Sequence, residues 1–340
     1  MSQSLPLSEL SIAKPKVGVV LLNLGTPDST ETADVRRYLR EFLWDARVIE
    51  TPRWLWWPIL NFAILPSRPK KSGHAYAQIW DREQNDSPLR IITRDQAERL
   101  GERLAGDGVV VDFAMRYGNP STKSVLDRMK DEGCTKILLV PLYPQYSATT
   151  TATANDKAFE ALMAMRWQPA IRTAAAYFAE PKYVEVLAKS IGEGVAALDF
   201  APDLVITSYH GMPVDYRDKG DPYYYQCHET TRLVREQLGW AEDKMKVTFQ
   251  SRFGRAQWLE PYTDATLAAL PKQGVKKIAI LAPAFAADCI ETLEEIAMQG
   301  RDTFMAAGGE NFAYIPCLNA TPDGMDMIEA VVRRELGGWI

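Results

Sequence analysis

Two side chains able to bind metal or carry protons follow two buried strands that the sequence predicts. His210 ends the apolar run that begins at Val205, and Glu291 follows the run at 278–281. The carboxyl ends of parallel strands meet at one edge of a sheet, which is where ligands bind in open α/β folds. Imidazole and carboxylate suit iron, zinc and similar metals, and neutral imidazole accepts protons near pH 7. We therefore predict metal or proton chemistry at this edge.

A second carboxylate, Glu295, comes four residues after Glu291. Residues four apart share one face of a predicted helix, and two like charges there repel each other by roughly 0.2–0.5 kcal/mol. A nearby cation would turn that repulsion into attraction. The same pattern also fits carboxylates that stabilise the positive end of the helix and a histidine held in the core. The spacing alone leaves both interpretations open.

Apolar runs that alternate with helical patterns predict the elements that carry these residues. The runs are rich in Val, Ile and Leu and lie at 17–24, 109–115, 136–142, 203–209, 246–250 and 277–282. Strands that are apolar on both faces and separated by helices are typical of parallel sheets. The sequence thus predicts a doubly wound α/β fold.

Short motifs recur in the same order in the two halves of the chain. The paired segments are 24–27 with 210–213, 116–118 with 252–254, and 141–144 with 283–285. This order predicts two similar domains that face each other across a cleft. The second half has His210 where the first has Leu24, which indicates one active chemistry and not two. The predicted bounds are a polar tail at 1–16, a first domain at 17–165, a second domain at 166–322, and a C-terminal helix at 323–340 that packs on the first domain.

Composition narrows the classes of function. With 340 residues, 46% hydrophobic and 24% charged, the chain can bury a large core. A net charge of -5 without a basic block argues against nucleic acid as a partner. The four cysteines form no C-x-x-C pair, which predicts neither a zinc ribbon nor an iron–sulfur cluster and fits free thiols in a reducing cytoplasm. The first residues lack the apolar core of a secretory signal.

An apolar segment rich in tryptophan, which we name the lip (residues 51–71), interrupts the first domain. Trp54, Trp56 and Trp57 lie within four residues, and Arg68 and Lys71 follow. The segment is too short and too interrupted to span a bilayer, which takes roughly 20 apolar residues. Aromatic side chains next to basic ones suit a membrane interface. They also suit the mouth of a pocket that binds a flat, anionic ligand. A buried helix is the alternative.

A set of longer motifs identifies a family that the chain resembles. The motifs are LNLGTP at 22–27, MRYGNP at 115–120, PLYPQYS at 141–147, HGMP at 210–213, GDPY at 220–223, QS at 250–251, WL at 258–259 and DCIETL at 288–293. Together they resemble the ferrochelatases of bacterial type. They follow the family's order over nearly the whole chain, from about Val17 to Asn319.

The resemblance implies a function and a site. The implied function is insertion of Fe(II) into protoporphyrin IX to give protohaem, the last step of haem biosynthesis. The implied fold is two Rossmann-like domains with parallel sheets, and the porphyrin lies in the cleft between them. His210 matches the histidine that abstracts protons or handles the metal, and Glu291 matches its acidic partner, with Glu295 as a second metal or proton position. Residues that match the porphyrin cleft are Leu24, Arg116, Tyr117, Tyr143, Ser251 and Trp258.

The resemblance also implies the surroundings of the reaction. Arg68 and Lys71 match basic residues on the lip, where propionates or lipid phosphates dock. We expect a cytoplasmic protein with peripheral contact to the inner membrane, and contact with the oxidase that precedes this step. Fe(II) is expected as a substrate, and no resident cofactor is predicted.

Three departures from the family pattern matter. Many members have His where this chain has Cys289, whose thiol either touches the metal or is inert; we favour the inert thiol. Gln299 stands where other members continue the acidic series of Glu291 and Glu295. The C-terminus lacks the cysteines of the cluster-binding variants, so no iron–sulfur cluster is expected. The alternatives are a chelatase for coproporphyrin III or for cobalt, and a haem or metal carrier of the same fold.

Overall fold

In the part of the chain that the structure describes, helices connect the strands of two parallel sheets of four strands each. The computed structural model describes residues 15–254 and 256–340. The predicted tail at 1–16 lies outside the described residues except for its last two positions, and the first strand begins at Lys16. The predicted α/β class with two similar parallel sheets is confirmed.

The strand order is the same in both sheets. The first sheet contains β1 (Lys16–Thr26), β2 (Val109–Gly118), β3 (Cys134–Pro141) and β4 (Ala170–Thr173), in the order β2-β1-β3-β4. The second contains β5 (Leu204–His210), β6 (Met245–Gln250), β7 (Lys277–Leu281) and β8 (Asn311–Tyr314), in the order β6-β5-β7-β8. In each sheet the strand that comes first along the chain, β1 or β5, lies between two other strands. The motif at its carboxyl end is therefore flanked by a strand on each side.

Helices surround both sheets. The α-helices are α1 (Thr32–Trp44), α2 (Arg53–Pro58), α3 (Arg68–Ile79), α4 (Pro88–Leu104), α5 (Thr122–Asp131), α6 (Thr153–Met163), α7 (Pro181–Ala196), α8 (Val214–Asp218), α9 (Tyr223–Gln237), α10 (Thr263–Ala269), α11 (Arg301–Ala306) and α12 (Pro322–Leu336). Segments of π-helix lie at Ile59–Ile64, Ala148–Ala152 and Glu291–Gly300, and short 3-10 turns at Ala105–Asp107, Glu242–Lys244 and Leu270–Gln273.

The apolar runs did not predict strands β4 and β8. Each has four residues and pairs with one neighbour only, at the outer edge of its sheet. The other edge strands, β2 and β6, contain buried residues and were predicted, whereas no residue of β4 or β8 is buried. Such a strand needs no continuous apolar run, so its sequence carries little signal. Strand β4 also lies beyond the predicted domain boundary at 165–166, yet it extends the first sheet.

The largest apolar core contains residues from both sheets. It includes Val19 and Leu21 of β1 together with Val205 of β5 and Ala279 of β7. Helix α12 packs on α4 and α7 within this core, where Arg103 of α4 pairs with Asp326 at 2.7 Å. The burial of these apolar residues in one shared cluster opposes separation of the two sheets.

Candidate active site

His210 is the last residue of β5, beside Gln250 at the end of β6. Its Nδ1 lies 2.7 Å from the carbonyl oxygen of Gly211. A carbonyl oxygen only accepts hydrogen bonds, so in the neutral ring Nδ1 carries the proton and donates it. The lone pair is therefore on Nε2, which is the nitrogen free to accept a proton or to bind a metal.

The turn that follows His210 fits closely against β6. The backbone N–H of Gly211 donates to the carbonyl oxygen of Gln250 at 2.7 Å. A Cβ at Gly211 would lie 2.5 Å from that oxygen and 3.2 Å from the Trp258 ring, so only glycine fits. Trp258 is buried and donates from Nε1 to the carbonyl oxygen of Phe253. In this structure Trp258 therefore supports the turn that orients His210.

The acidic residues lie on a π-helix, Glu291–Gly300. A helix was predicted here, but its hydrogen bonds run from i to i+5, a pattern that is frequent at functional sites. The side chain of Gln250 connects it to the end of β6, because Nε2 donates to the Glu291 carbonyl oxygen at 2.8 Å. Ser208 donates to the other end of the same amide at 2.7 Å. One buried amide thus links the π-helix to the strand pair that ends at His210.

Glu295 is held in a largely buried position. Burial raises the pKa of its carboxyl above the ordinary value of 4.5, while the hydroxyl of Ser251 and the charge of His210 act in the opposite direction. The negative charge of Glu291 adds to the rise. Gln250 pairs with His210 across the strands, and its Nε2 lies 2.8 Å from the Glu291 carbonyl oxygen and 3.5 Å from the Glu295 carboxylate, so His210, Glu291 and Glu295 are all neighbours of one amide. A carboxyl with a raised pKa takes up a proton more readily than an exposed one.

No closed metal site is preformed around these residues. Within 15–254 and 256–340, no three His, Cys, Asp or Glu side chains are grouped so that they could hold a metal ion. The thiol of Cys289 is buried, and burial raises its pKa well above the ordinary value of 9.0. Since the thiolate is the form that binds metals, a protonated Cys289 is a poor ligand.

A small pocket of about 10 Å³, little more than the room for one water molecule, lies between Glu291 and residues of the first half of the chain. Its polar lining includes Tyr38 on α1, Tyr76 on α3 and Ser87 before α4, none of which was predicted. Burial and the charge of Glu291 raise the pKa of Tyr76, so its phenol stays protonated and can donate hydrogen bonds. Their sequence surroundings carry no motif, and only the fold brings them to the acidic helix.

Arg116 and Tyr117 at the end of β2 are engaged within the protein. The Arg116 guanidinium pairs with Asp45 and donates to Thr153, and its side chain is 11% exposed. The Tyr117 ring is fully buried, and its hydroxyl donates to Asp45 at 2.9 Å. Burial alone would raise the pKa of Asp45, but the Thr153 hydroxyl and the backbone N–H of Arg47, together with the Arg116 charge, lower it. Asp45 carries no sequence signal and was not predicted.

Tyr143 and Leu24 lie close to the acidic helix. The Tyr143 hydroxyl is buried and has no hydrogen-bond partner, and the charges of Arg116 and Glu291 both act on it. Leu24 packs with Ile290 against the apolar cluster that includes Trp56. An unpartnered hydroxyl and an apolar side chain of this kind can contact a largely apolar ring that carries polar substituents.

The lip differs from the prediction at Trp56. This ring is 9% exposed and donates from Nε1 to the Leu43 carbonyl oxygen, so it faces the core. Trp54 and Trp57 are 79% and 51% exposed, and Phe62, which was not predicted, is 72% exposed. Arg68 and Lys71 follow at the start of α3 and are exposed as well. The large apolar side chains that the lip exposes are those of Trp54, Leu55, Trp57, Ile59 and Phe62.

Comparison with known proteins places the chain in one family. The ferrochelatase family model matches residues 16–336. A ferrochelatase of Mesorhizobium japonicum is 61% identical over 327 residues, which cover 96% of this chain and 92% of that protein. A ferrochelatase of Brucella ovis is 57% identical over 327 residues, with 96% and 93% covered.

Solved structures with the same fold are much more distant in sequence. SirB from Bacillus subtilis with Fe3+ superposes with a TM-score of 0.54 at 12% identity, over 94% of this chain and 95% of SirB. DR2241 from Deinococcus radiodurans, described as similar to chelatases, has a TM-score of 0.53 at 12% identity, over 94% of this chain and 55% of that one. These likenesses concern the fold alone. The match of the family model and the high identity to its members show that the chain belongs to the ferrochelatase family.

Proposed function

We propose that this protein inserts Fe(II) into protoporphyrin IX and releases two protons, to form protohaem in the final step of haem biosynthesis. The reaction makes nitrogen–metal bonds, which would class the enzyme as a lyase. The observation that carries this proposal is that His210, at the end of β5, and Glu291 and Glu295, on the π-helix, are all neighbours of Gln250 in a chain of this family. The reaction exchanges two N–H protons for a dication. Such a reaction requires a proton acceptor and carboxylates, and these residues supply both.

His210 is the proposed acceptor of a pyrrole proton. Its Nε2 carries the lone pair because Nδ1 donates to Gly211. Glu291 and Glu295 are proposed to attract Fe(II) and to take up the released protons. Glu295 is suited to the second task, since burial raises the pKa of its carboxyl. Transfer of the proton from His210 to one of these carboxylates would return the imidazole to its neutral form for the next turnover.

The macrocycle is proposed to bind beside Glu291, against the residues that line this small pocket. Tyr76 and Glu291 line it, and Leu24 and Tyr143 lie near the same helix. Contacts remote from the ring nitrogens are proposed to distort the ring, which tilts the nitrogen lone pairs toward the metal. The Arg116 guanidinium is paired with Asp45, so a propionate would have to compete with that carboxylate.

We propose that Fe(II) is a substrate and that the enzyme holds no iron–sulfur cluster. Such a cluster is bound by four thiolates that lie close together. Here Cys134 is buried in a cluster with β1 and β3, while Cys227 is buried in another with α9 and β6. Cys289 lies in a third cluster, beside Leu89. This separation supports the proposal.

The direct test is anaerobic incubation with Fe(II) and protoporphyrin IX, followed by the visible spectrum, with coproporphyrin III and with Co(II) in parallel assays. We expect turnover with protoporphyrin and Fe(II) at a higher kcat/KM than with the other pairs. Preference for coproporphyrin III or for Co(II) would replace the proposed substrate. Tight porphyrin binding without insertion of either metal would indicate a carrier and contradict the enzyme proposal.

We further propose that the protein is cytoplasmic and contacts the inner membrane through the lip. Within the described residues, no helix is both long and apolar enough to cross a bilayer. The exposed rings of Trp54, Trp57 and Phe62 lie on α2 and the following π-helix, just before the basic start of α3. Aromatic rings beside basic side chains suit the interface of an anionic bilayer. Contact with the oxidase that supplies protoporphyrin stays a prediction.

Exchange of the two exposed rings Trp57 and Phe62 for serine is expected to weaken binding to anionic lipid vesicles about tenfold, since each ring contributes to apolar burial at the interface. Co-sedimentation with phosphatidylglycerol vesicles measures this. The matched control is the double exchange of Trp167 and Phe159, which are 50% and 43% exposed outside the lip. Equal binding by wild type and both variants would contradict membrane contact through the lip.

A further inference from the structure

Asn319 lies in the connection between β8 and α12 and uses all of its polar atoms. Its φ is 52°, in the left-handed region that few side chains other than Asn, Asp and Gly adopt readily. Its backbone N–H donates to the Ala286 carbonyl oxygen at 3.1 Å, and its own carbonyl oxygen accepts from Gln96 at 3.1 Å. The backbone of Asn319 is thereby fixed to the loop after β7 and to helix α4.

The side-chain amide of Asn319 forms a two-point pair with Asp288. Its Nδ2 donates to one carboxylate oxygen of Asp288 at 2.7 Å, and its Oδ1 accepts from the Asp288 backbone N–H at 2.8 Å. Asp288 is buried, and its other carboxylate oxygen accepts from Thr292 at 2.9 Å and from Tyr314. Loss of the Asn319 amide would leave a buried carboxylate oxygen without its donor, which is costly.

The bonds of Asp288 reach the start of the acidic π-helix. Thr292, which donates to Asp288, also accepts from the backbone N–H of Cys289 at 2.9 Å. Glu291 lies between these two residues, and Gln250 holds its carbonyl oxygen from the opposite side. The backbone that bears the Glu291 side chain is therefore fixed by Gln250 on one side and by the Asn319–Asp288 pair on the other.

We propose that Asn319 is a positioning residue for Glu291, which it orients through Asp288 and Thr292. The inference rests on the proposed function, because it assigns Glu291 a part in metal insertion. Asn319 does not touch the substrates. Its contribution is to hold the first turn of the π-helix, and with it the backbone of Glu291, in one arrangement.

The test is Asn319→Gly, which keeps the left-handed backbone and removes only the amide. We expect kcat for Fe(II) insertion to fall about tenfold to a hundredfold, since small misplacements of reacting groups cost this much, with the KM for protoporphyrin unchanged. The matched control is Asn85→Gly, at an exposed turn residue with a φ of 49°. It should retain wild-type kcat.

A double-mutant cycle separates positioning from a general structural role. In a Glu291→Gln background, Asn319→Gly should lower kcat by less than about twofold, because residues that act as one unit are not additive. An equal fall in both backgrounds would overturn the proposal, as would full activity of the single variant. If Asn319→Gly does not fold, Asn319→Asp takes its place in the same cycle. Aspartate keeps the size of the side chain and its acceptor oxygen. Absence of insertion by the wild type would instead contradict the proposed function.

Discussion

Replacement of His210 by alanine is expected to lower kcat for Fe(II) insertion into protoporphyrin about a thousandfold, as is typical when a positioned proton acceptor is removed. The reason lies in its tautomer. Nδ1 donates to Gly211, so Nε2 holds the lone pair at the carboxyl end of β5. Protoporphyrin binding, followed by quenching of porphyrin fluorescence, should be retained, because the residues proposed to contact the macrocycle are unchanged.

His74→Ala is the control for this experiment. His74 lies exposed on α3, so its loss should leave both insertion and binding at wild-type levels. If His210→Ala inserted Fe(II) as fast as the wild type, His210 would have no part in the reaction. If it lost porphyrin binding and insertion together, the histidine would act as a binding group and not as the proton acceptor.

Glu291→Gln is expected to lower kcat about a hundredfold, the range for loss of one acid–base group. Glutamine keeps the size of the side chain but carries no charge and takes up no proton. Attraction of Fe(II) and proton removal would both weaken, while protoporphyrin binding should change little. Steady-state insertion at varied Fe(II) and varied porphyrin separates these effects, with a higher KM expected for the metal and not for the porphyrin.

Glu294→Gln supplies the control on the same helix. Glu294 accepts from the exposed Gln299 side chain and does not take part in the contacts around Gln250. Its exchange should leave kcat and both KM values near those of the wild type. If Glu291→Gln inserted Fe(II) as fast as the wild type, its carboxylate would have no part in the reaction. If Glu291→Gln bound porphyrin normally but no longer inserted Fe(II), the carrier alternative would be contradicted.

Local sequence patterns were sufficient to predict every strand except β4 and β8, and the residues that follow those strands. Strands β1 and β5 are buried on both faces, which requires continuous apolar runs that can be read directly. Because a parallel sheet aligns the carboxyl ends of its strands, the placement of His210 near Glu291 followed from those runs and their order. The family motifs then predicted the reaction, and the family comparison confirmed that membership.

The first turn of the acidic helix is held by contacts that include distant parts of the chain. Any spacing of four residues suits an α-helix, and the sequence offers no signal for the π-helix that forms here. Its first turn is held by Gln250 at the end of β6, by Asp288 just before the helix and, through Asp288, by Asn319 in the connection between β8 and α12. Buried hydrogen bonds of this kind depend on which residues the fold brings together and not on their neighbours in sequence.

Trp56 and Asp45 show the same division between sequence and tertiary structure. Composition predicted an aromatic lip, but the turn of α2 decided that Trp56 faces the core while Trp54 and Trp57 face solvent. Asp45 became a partner of Arg116 and Tyr117 only when α1 packed beside β2. The sequence by itself determined the two-sheet α/β class, the family, and the positions of His210 at the end of β5 and of Glu291 beyond β7, because buried strands leave continuous apolar runs and the family leaves motifs, which can both be read locally. The tertiary structure alone decided the partners of each buried polar group, because such a group is satisfied by whatever the folded chain places within hydrogen-bonding distance.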